Sequence, residues 1–158
     1  MTKDKLEKLM WSIALPGFGQ LLNRRYIKGL TFIFLEFLIN INANVNTIIF
    51  YSFLGDIQAA IDKANYQWLL FYPCVYFFAM WDAYRDASGE NKPLIFLPFV
   101  FSAYFMTVGV IYSPVLKIFD ILPGPVFLPL LSIIPGVLVG HIIKSILERF
   151  WRKPSSMA

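Results

Sequence analysis

Residues 9–39 read LMWSIALPGFGQLLNRRYIKGLTFIFLEFLI. A short apolar segment is broken by Pro16-Gly17-Phe18-Gly19-Gln20, followed by a basic knot, Arg24-Arg25-Tyr26-Ile27-Lys28-Gly29, and then by a long apolar run from Leu30. Pro16 lacks an N–H, and Gly17 and Gly19 weaken a helix further. The 15 uncharged residues 9–23 would span ~22 Å as one helix, short of a ~30 Å hydrocarbon core. The pattern predicts a broken or re-entrant helical element, packed on its neighbours because irregular backbone at membrane depth must be covered.

The rest of the chain agrees with a membrane setting. Of 158 residues, 58% are hydrophobic, 18% aromatic and 15% charged, with a mean hydropathy of +0.60. An average soluble domain is about 45–50% apolar and about 25% charged. Apolar runs over residues 30–53, 67–84, 94–116 and 126–147 predict four transmembrane helices. The expected fold is therefore an all-α integral membrane protein, one polytopic domain over residues 1–158, with the re-entrant element at its N-terminal end. Residues 55–66 and 85–93 read as loops. Asn40, Asn42, Asn44 and Asn46 fall on alternate positions, so the first span either continues through them as a helix or ends near Asn40.

The net charge of +4 does not indicate nucleic acid, because the basic residues sit at the ends of apolar runs rather than on a basic face. If residues 9–23 re-enter, twelve basic residues lie on the cytoplasmic side, and Lys63 and Lys117 lie outside. If they cross, the split becomes nine against five. The positive-inside rule favours the first arrangement, with both termini cytoplasmic in an inner or plasma membrane. Lys3, Lys5 and Lys8 precede an apolar stretch as in a signal peptide, but Asn23-Arg24-Arg25 stands where a small-residue cleavage site would fall, and the segment is expected to be retained.

Glu36 is the one acidic residue well inside a span, and His141 is the single histidine. Each lies eight residues from a basic residue at the same side, Lys28 and Arg149 respectively, so both sit ~12 Å deep. An intramembrane ionisable residue is a functional candidate. A Glu36–His141 contact would suit a proton or cation relay; a hydrogen bond within the bundle, with Lys144 as a rival partner, is the structural alternative. Asp82, Arg85 and Asp86 end the second span level with Arg24, Arg25 and Lys28, where an ion-pair cluster would clamp the re-entrant element. Gly136 and Gly140 have the small-xxx-small spacing of close helix contacts. Cys74 is a lone cysteine, expected to be a small buried hydrophobe. Zincin, nucleophile-elbow and P-loop motifs are absent, so no enzyme activity, cofactor or metal is expected.

Pro16-Gly17-Phe18-Gly19-Gln20, Arg24-Arg25-Tyr26, Lys28-Gly29 and Trp81-Asp82-Ala83-Tyr84 together resemble the TM2-domain-like families of small, mostly bacterial membrane proteins. The matching positions are Gly17, Gly19, Tyr26, Gly29 and Asp82, within about residues 9–87. Gln20-Leu21-Leu22-Asn23 departs from the narrow TM2 run, and the broader P-G-x-G-Q…K-G type fits better. The resemblance implies a membrane module and names no reaction. The expected function is a structural or interaction module that contacts the lipid bilayer, a membrane-protein partner or a second copy. A small transporter or channel subunit using the broken helix and Glu36 is the alternative.

Overall fold

The computed structural model describes residues 2–151. Those residues are all-helical: α1 (Lys3–Ala14), α2 (Phe18–Leu22), α3 (Tyr26–Ala43), α4 (Val45–Phe53), α5 (Ile57–Lys63), α6 (Tyr66–Leu69), α7 (Tyr72–Asp86), α8 (Leu97–Tyr112) and α9 (Gly124–Trp151). Arg152 and Lys153, counted above as cytoplasmic charges, lie outside the described residues.

Helix α1 begins at Lys3 rather than inside the apolar run. Thr2 caps it, its hydroxyl accepting from the Lys5 N–H at 3.2 Å, and Asp4 lies in the first turn. It ends at Leu15, which is extended (φ −155°, ψ 121°) as the residue before a proline tends to be. Gly17 then turns the chain at φ 107°, and α2 runs back.

The first predicted span is two helices. Asn44 adopts the left-handed conformation (φ 60°), ends α3 and donates to the Lys63 carbonyl at 2.9 Å. Asparagine tolerates this C-terminal position because its short side chain can bond locally. Helix α4 leaves α3 there and packs on α5 and α9. The polar stretch 55–66, expected as a loop, contains α5, capped by Asp56 accepting from the Ala59 N–H.

Packing directions follow from pairs of contacts. Lys28 of α3 meets Asp82 and Asp86 of α7, while Glu36 meets Tyr72, so α3 and α7 are antiparallel. In α8 and α9, a Cβ on Gly140 would fall 2.5 Å from Pro98 Cα, one on Gly136 2.7 Å from Ser102 Cα, and one on Gly109 2.8 Å from Pro129 Cα. The G-V-L-V-G spacing is thus an internal antiparallel contact in which backbones touch. One end of the bundle therefore gathers the start of α1, the α2–α3 turn, the end of α7, the start of α8 and the last turns of α9. The other gathers α5, the end of α8 and the start of α9.

Four spanning helices were expected; among the described residues two helices, α3 and α9, are long and apolar enough to cross a membrane by length and composition. Helices α7 and α8, of 15 and 16 residues, reach ~22–24 Å. The shortfall arises because Pro73 and Pro98 sit in their first turns, where proline is tolerated but does not extend a helix backwards. Large apolar side chains point outward on every long helix, with Phe37 65% and Leu138 58% exposed. Cys74, expected to be buried, is exposed; it shares the outward face of α7 with Phe71 and Phe78.

Gly136→Val should drive a methyl into the α8 backbone and cost about 1–3 kcal/mol. Leu138→Val, on the exposed face, should stay within about 0.5 kcal/mol. Thermal unfolding in detergent measures both.

Candidate functional site

The P-G-F-G-Q element is a helical hairpin laid along the end of α7. Lys5 of α1 reaches the Tyr84 carbonyl at 3.3 Å, and the Ile13 carbonyl, further down α1, accepts from the Tyr76 hydroxyl. Helix α2 then climbs back, so that Asn23 donates to the Ala83 carbonyl at 2.8 Å. Both limbs thus start and finish at the same end of α7, and the tip reaches about half-way along it.

Two glycines allow this. A Cβ on Gly17 would fall 2.5 Å from the Gly29 carbonyl oxygen and 2.7 Å from Ile33, so α2 starts in contact with the α3 backbone. A Cβ on Gly19 would collide with Ser12 of α1 and come within 2.6 Å of the Ala83 methyl of α7. Pro16 stops α1, Gly17 turns the chain, and Gly19 lets α2 enter the crease between α1 and α7.

Asp82 stands at the floor of that crease, 3% exposed. Its Oδ1 meets Lys28 Nζ at 2.8 Å and Arg85 Nη2 at 2.6 Å. Its Oδ2 accepts from Gln20 Nε2 at 3.3 Å, and the same amide donates to the Ala79 carbonyl at 2.7 Å. Asp86, one turn on, meets Lys28 Nζ at 2.9 Å, Arg85 Nε at 3.1 Å and Arg25 Nε at 3.5 Å. Arg85 also lies over the Trp81 ring at 4.5 Å. One α7 turn therefore binds α2 through Gln20 and α3 through Lys28 and Arg25.

The start of α1 is fastened separately. Lys5, 1% exposed, donates to Asn91 Oδ1 at 2.5 Å and sits 4.6 Å from the Tyr84 ring centroid. Asp4 accepts from the Ser88 N–H at 2.8 Å, and Thr2 donates to the Ser88 carbonyl at 3.1 Å. Burial pushes the Lys5 ammonium below its ordinary value. Hydrogen bonds from Lys8 and the Ser88 backbone hold Asp4 below the usual carboxylate range.

Gln20, Arg25, Lys28, Gly29 and Asp82 thus converge with Pro16, Gly17 and Gly19, while Arg24 sits exposed at the rim. Glu36 and His141 do not meet. Glu36 accepts from the Tyr72 hydroxyl at 3.1 Å. His141 is exposed on α9 and its Nδ1 lies 2.9 Å from the Val137 carbonyl of its own helix. Lys144 is 3.8 Å from Glu148, not at Glu36. The equal depths expected for them do not correspond to one level of the bundle: Glu36 lies by Tyr72 at the start of α7, whereas Gly140, next to His141, packs on Pro98 at the start of α8, where Phe99 meets Tyr84 near the end of α7. Lys5, Asn23 and Tyr72 escaped the sequence reading. The i, i+4 spacing of Tyr72 and Tyr76 was a usable signal, since it puts two phenols on one face; their rings stack at 5.5 Å. Among the described residues no group of three or more His, Cys, Asp or Glu could hold a metal. No family model, curated protein or solved structure matches the chain.

Asp82→Asn leaves Lys28 and Arg85 still paired with Asp86 but removes their bonds to the buried carboxylate, and should cost about 1–3 kcal/mol, read as lower thermal stability and faster proteolysis of the α2–α3 turn. The pH response has a definite sign. Asp4 has a depressed folded-state value, so its contribution is present above the unfolded value of 3.8 and lost as pH falls through the folded one. Spin labels at Lys3→Cys and Glu90→Cys, with Cys74→Ala, should keep their distance from about pH 8 to about pH 5. The distance should lengthen only as pH falls below 3.8, through the depressed folded-state value.

Proposed function

We propose that this chain is a non-enzymatic integral membrane protein whose basic end docks on anionic lipid headgroups, with the α1–α2 hairpin as its membrane-entering element. The observation that carries this reading is the apolar outer shell. Exposed Phe34, Phe37 and Ile41 on α3, Phe71 just before α7 and Phe78 on it, Val100 and Ile111 on α8, and Ile134, Leu138 and Ile142 on α9 surround the bundle. A soluble monomer rarely exposes apolar patches beyond a few hundred Å², whereas lipid covers such a surface. On this reading α3, α6 with α7, α8 and α9 are the four membrane segments. The short α8 is met by local bilayer thinning. The basic end faces the cytoplasm across an inner or plasma membrane. The TM2-like resemblance is consistent with it, because Gly17, Gly19, Gly29 and Asp82 all belong to the clamp.

The headgroup contact belongs chiefly to Arg24, joined by Arg25, which stays 62% exposed although its Nε lies 3.5 Å from Asp86. Lys28, which sequence reasoning grouped with them, is tied to Asp82 and Asp86. Arg24 occupies a position normally filled by glycine: the Arg25 N–H bonds the Gln20 carbonyl at 2.8 Å and the Arg24 N–H the Leu21 carbonyl at 2.9 Å, closing α2 with Arg24 at φ 60°. A left-handed conformation costs a non-glycine residue roughly 1–2 kcal/mol, and an exposed guanidinium kept there at that cost points to a role for the charge. Clustered basic residues at a membrane end favour anionic lipid.

Arg24→Gly separates role from stability. It should raise thermal stability by about 1 kcal/mol and yet weaken retention of anionic over zwitterionic lipid in detergent extracts. Equal lipid retention by Arg24→Gly, Arg25→Gln and wild type would sink the proposal. The buried Glu36–Tyr72 pair keeps a transport reading in play; faster proton or ion flux in liposomes with wild type than with Glu36→Gln would replace the first reading.

A further inference from the structure

A cavity of ≈ 360 Å³ lies where the hairpin tip meets α4, α7, α8 and α9, lined by Ile13, Ile48, Tyr76, Met106, Val110 and Pro129 among others. We infer that it binds the hydrocarbon chain of a membrane lipid, which enters between the hairpin tip and α9. The inference rests on the membrane setting proposed above.

Three features carry it. The first is size. The volume is well over twice that of a ~150 Å³ apolar cavity that stays dry and takes up benzene, and lies within the range of about 300–1,000 Å³ typical of ligand pockets. The second is chemistry. Apart from two phenols the lining side chains are apolar, and those hydroxyls are already used, Tyr72 by Glu36 and Tyr76 by the Ile13 carbonyl. Water needs two to four polar partners to settle in a cavity, and the lining side chains offer no free donor, only the lone pairs of the two phenol oxygens. The third is access. Ile13, Ile49 and Leu130 line the cavity and are also exposed, with Leu130 on the outward apolar face of α9. The mouth therefore opens among side chains that lipid tails would touch, and the available filler is a tail. Such a chain would press on Ile13 and Tyr76, coupling occupancy to docking of the hairpin.

The test places the protein in phosphatidylglycerol and phosphatidylethanolamine vesicles containing a phospholipid with a diazirine near the end of one acyl chain, followed by irradiation and peptide mapping. Val110 and Met80 line the cavity and are buried, at 1% and 8% exposure, whereas Phe37 and Leu138 are reached by any surrounding lipid. Label on Val110 and Met80 as well as on Phe37 and Leu138 is the expected result. In Met106→Trp or Ile133→Phe, which fill the cavity, label at Val110 and Met80 should fall to background and that at Phe37 and Leu138 should stay. Label at Phe37 and Leu138 without Val110 and Met80 overturns the site and leaves the membrane reading standing. Label at none of the four overturns the membrane reading. If neither filled variant folds, the wild-type map decides.

Discussion

The buried Asp82 carboxylate is the interaction on which the arrangement depends. It takes Lys28 from α3, Arg85 from its own helix and Gln20 from α2. A buried carboxylate must be paired and hydrogen-bonded, and Asp82 meets that need from two cations and one amide drawn from three helices. This makes the site an orienting device more than a source of net stability, since buried ion pairs contribute little relative to a well-packed apolar alternative. What it supplies is register: Lys28 fixes where α3 begins, and Gln20 fixes how far α2 climbs.

The glycines work toward the same end. Gly17 and Gly19 let α2 approach α3 and α7 at distances no other residue permits, which brings the Gln20 amide within reach of Asp82. On the far side of the bundle Gly109, Gly136 and Gly140 bring the α8 and α9 backbones into contact. The molecule therefore has two tight seams, α1–α2–α7 and α8–α9. The cavity lies between them, where the hairpin tip stops short and α4 turns aside at Asn44.

Much of this was legible from local chemistry. The Pro16–Gly17 break, the all-helical character and the convergence of Arg25, Lys28, Asp82, Arg85 and Asp86 each follow from a steric rule or from charges that would be costly away from an apolar run's end. The outer boundaries were less legible. Apolar composition over residues 30–53 is continuous, and nothing in hydropathy distinguishes a straight helix from one that ends at a left-handed asparagine. Similarly, Lys5 looks like a solvated terminal charge in the sequence, yet its stem and ammonium are enclosed by Tyr84 and Asn91, which lie some eighty residues away.

By itself the sequence determined the helical class, the break in the first apolar segment and the partition of charge, because each depends on backbone sterics or on the period and end-points of apolar runs. Only the tertiary structure decided which faces meet. Equal spacing from a basic residue left Glu36 and His141 as possible partners, but packing turned Glu36 toward Tyr72 and left His141 outward on α9. The same packing made Lys28 a clamp and left Arg24 free at the rim, although the two stand four residues apart in one basic knot. Charge is a property of the residue; whether it is spent inside the fold or offered outside it is set by the close approach that Gly17, Gly19 and Gly29 permit.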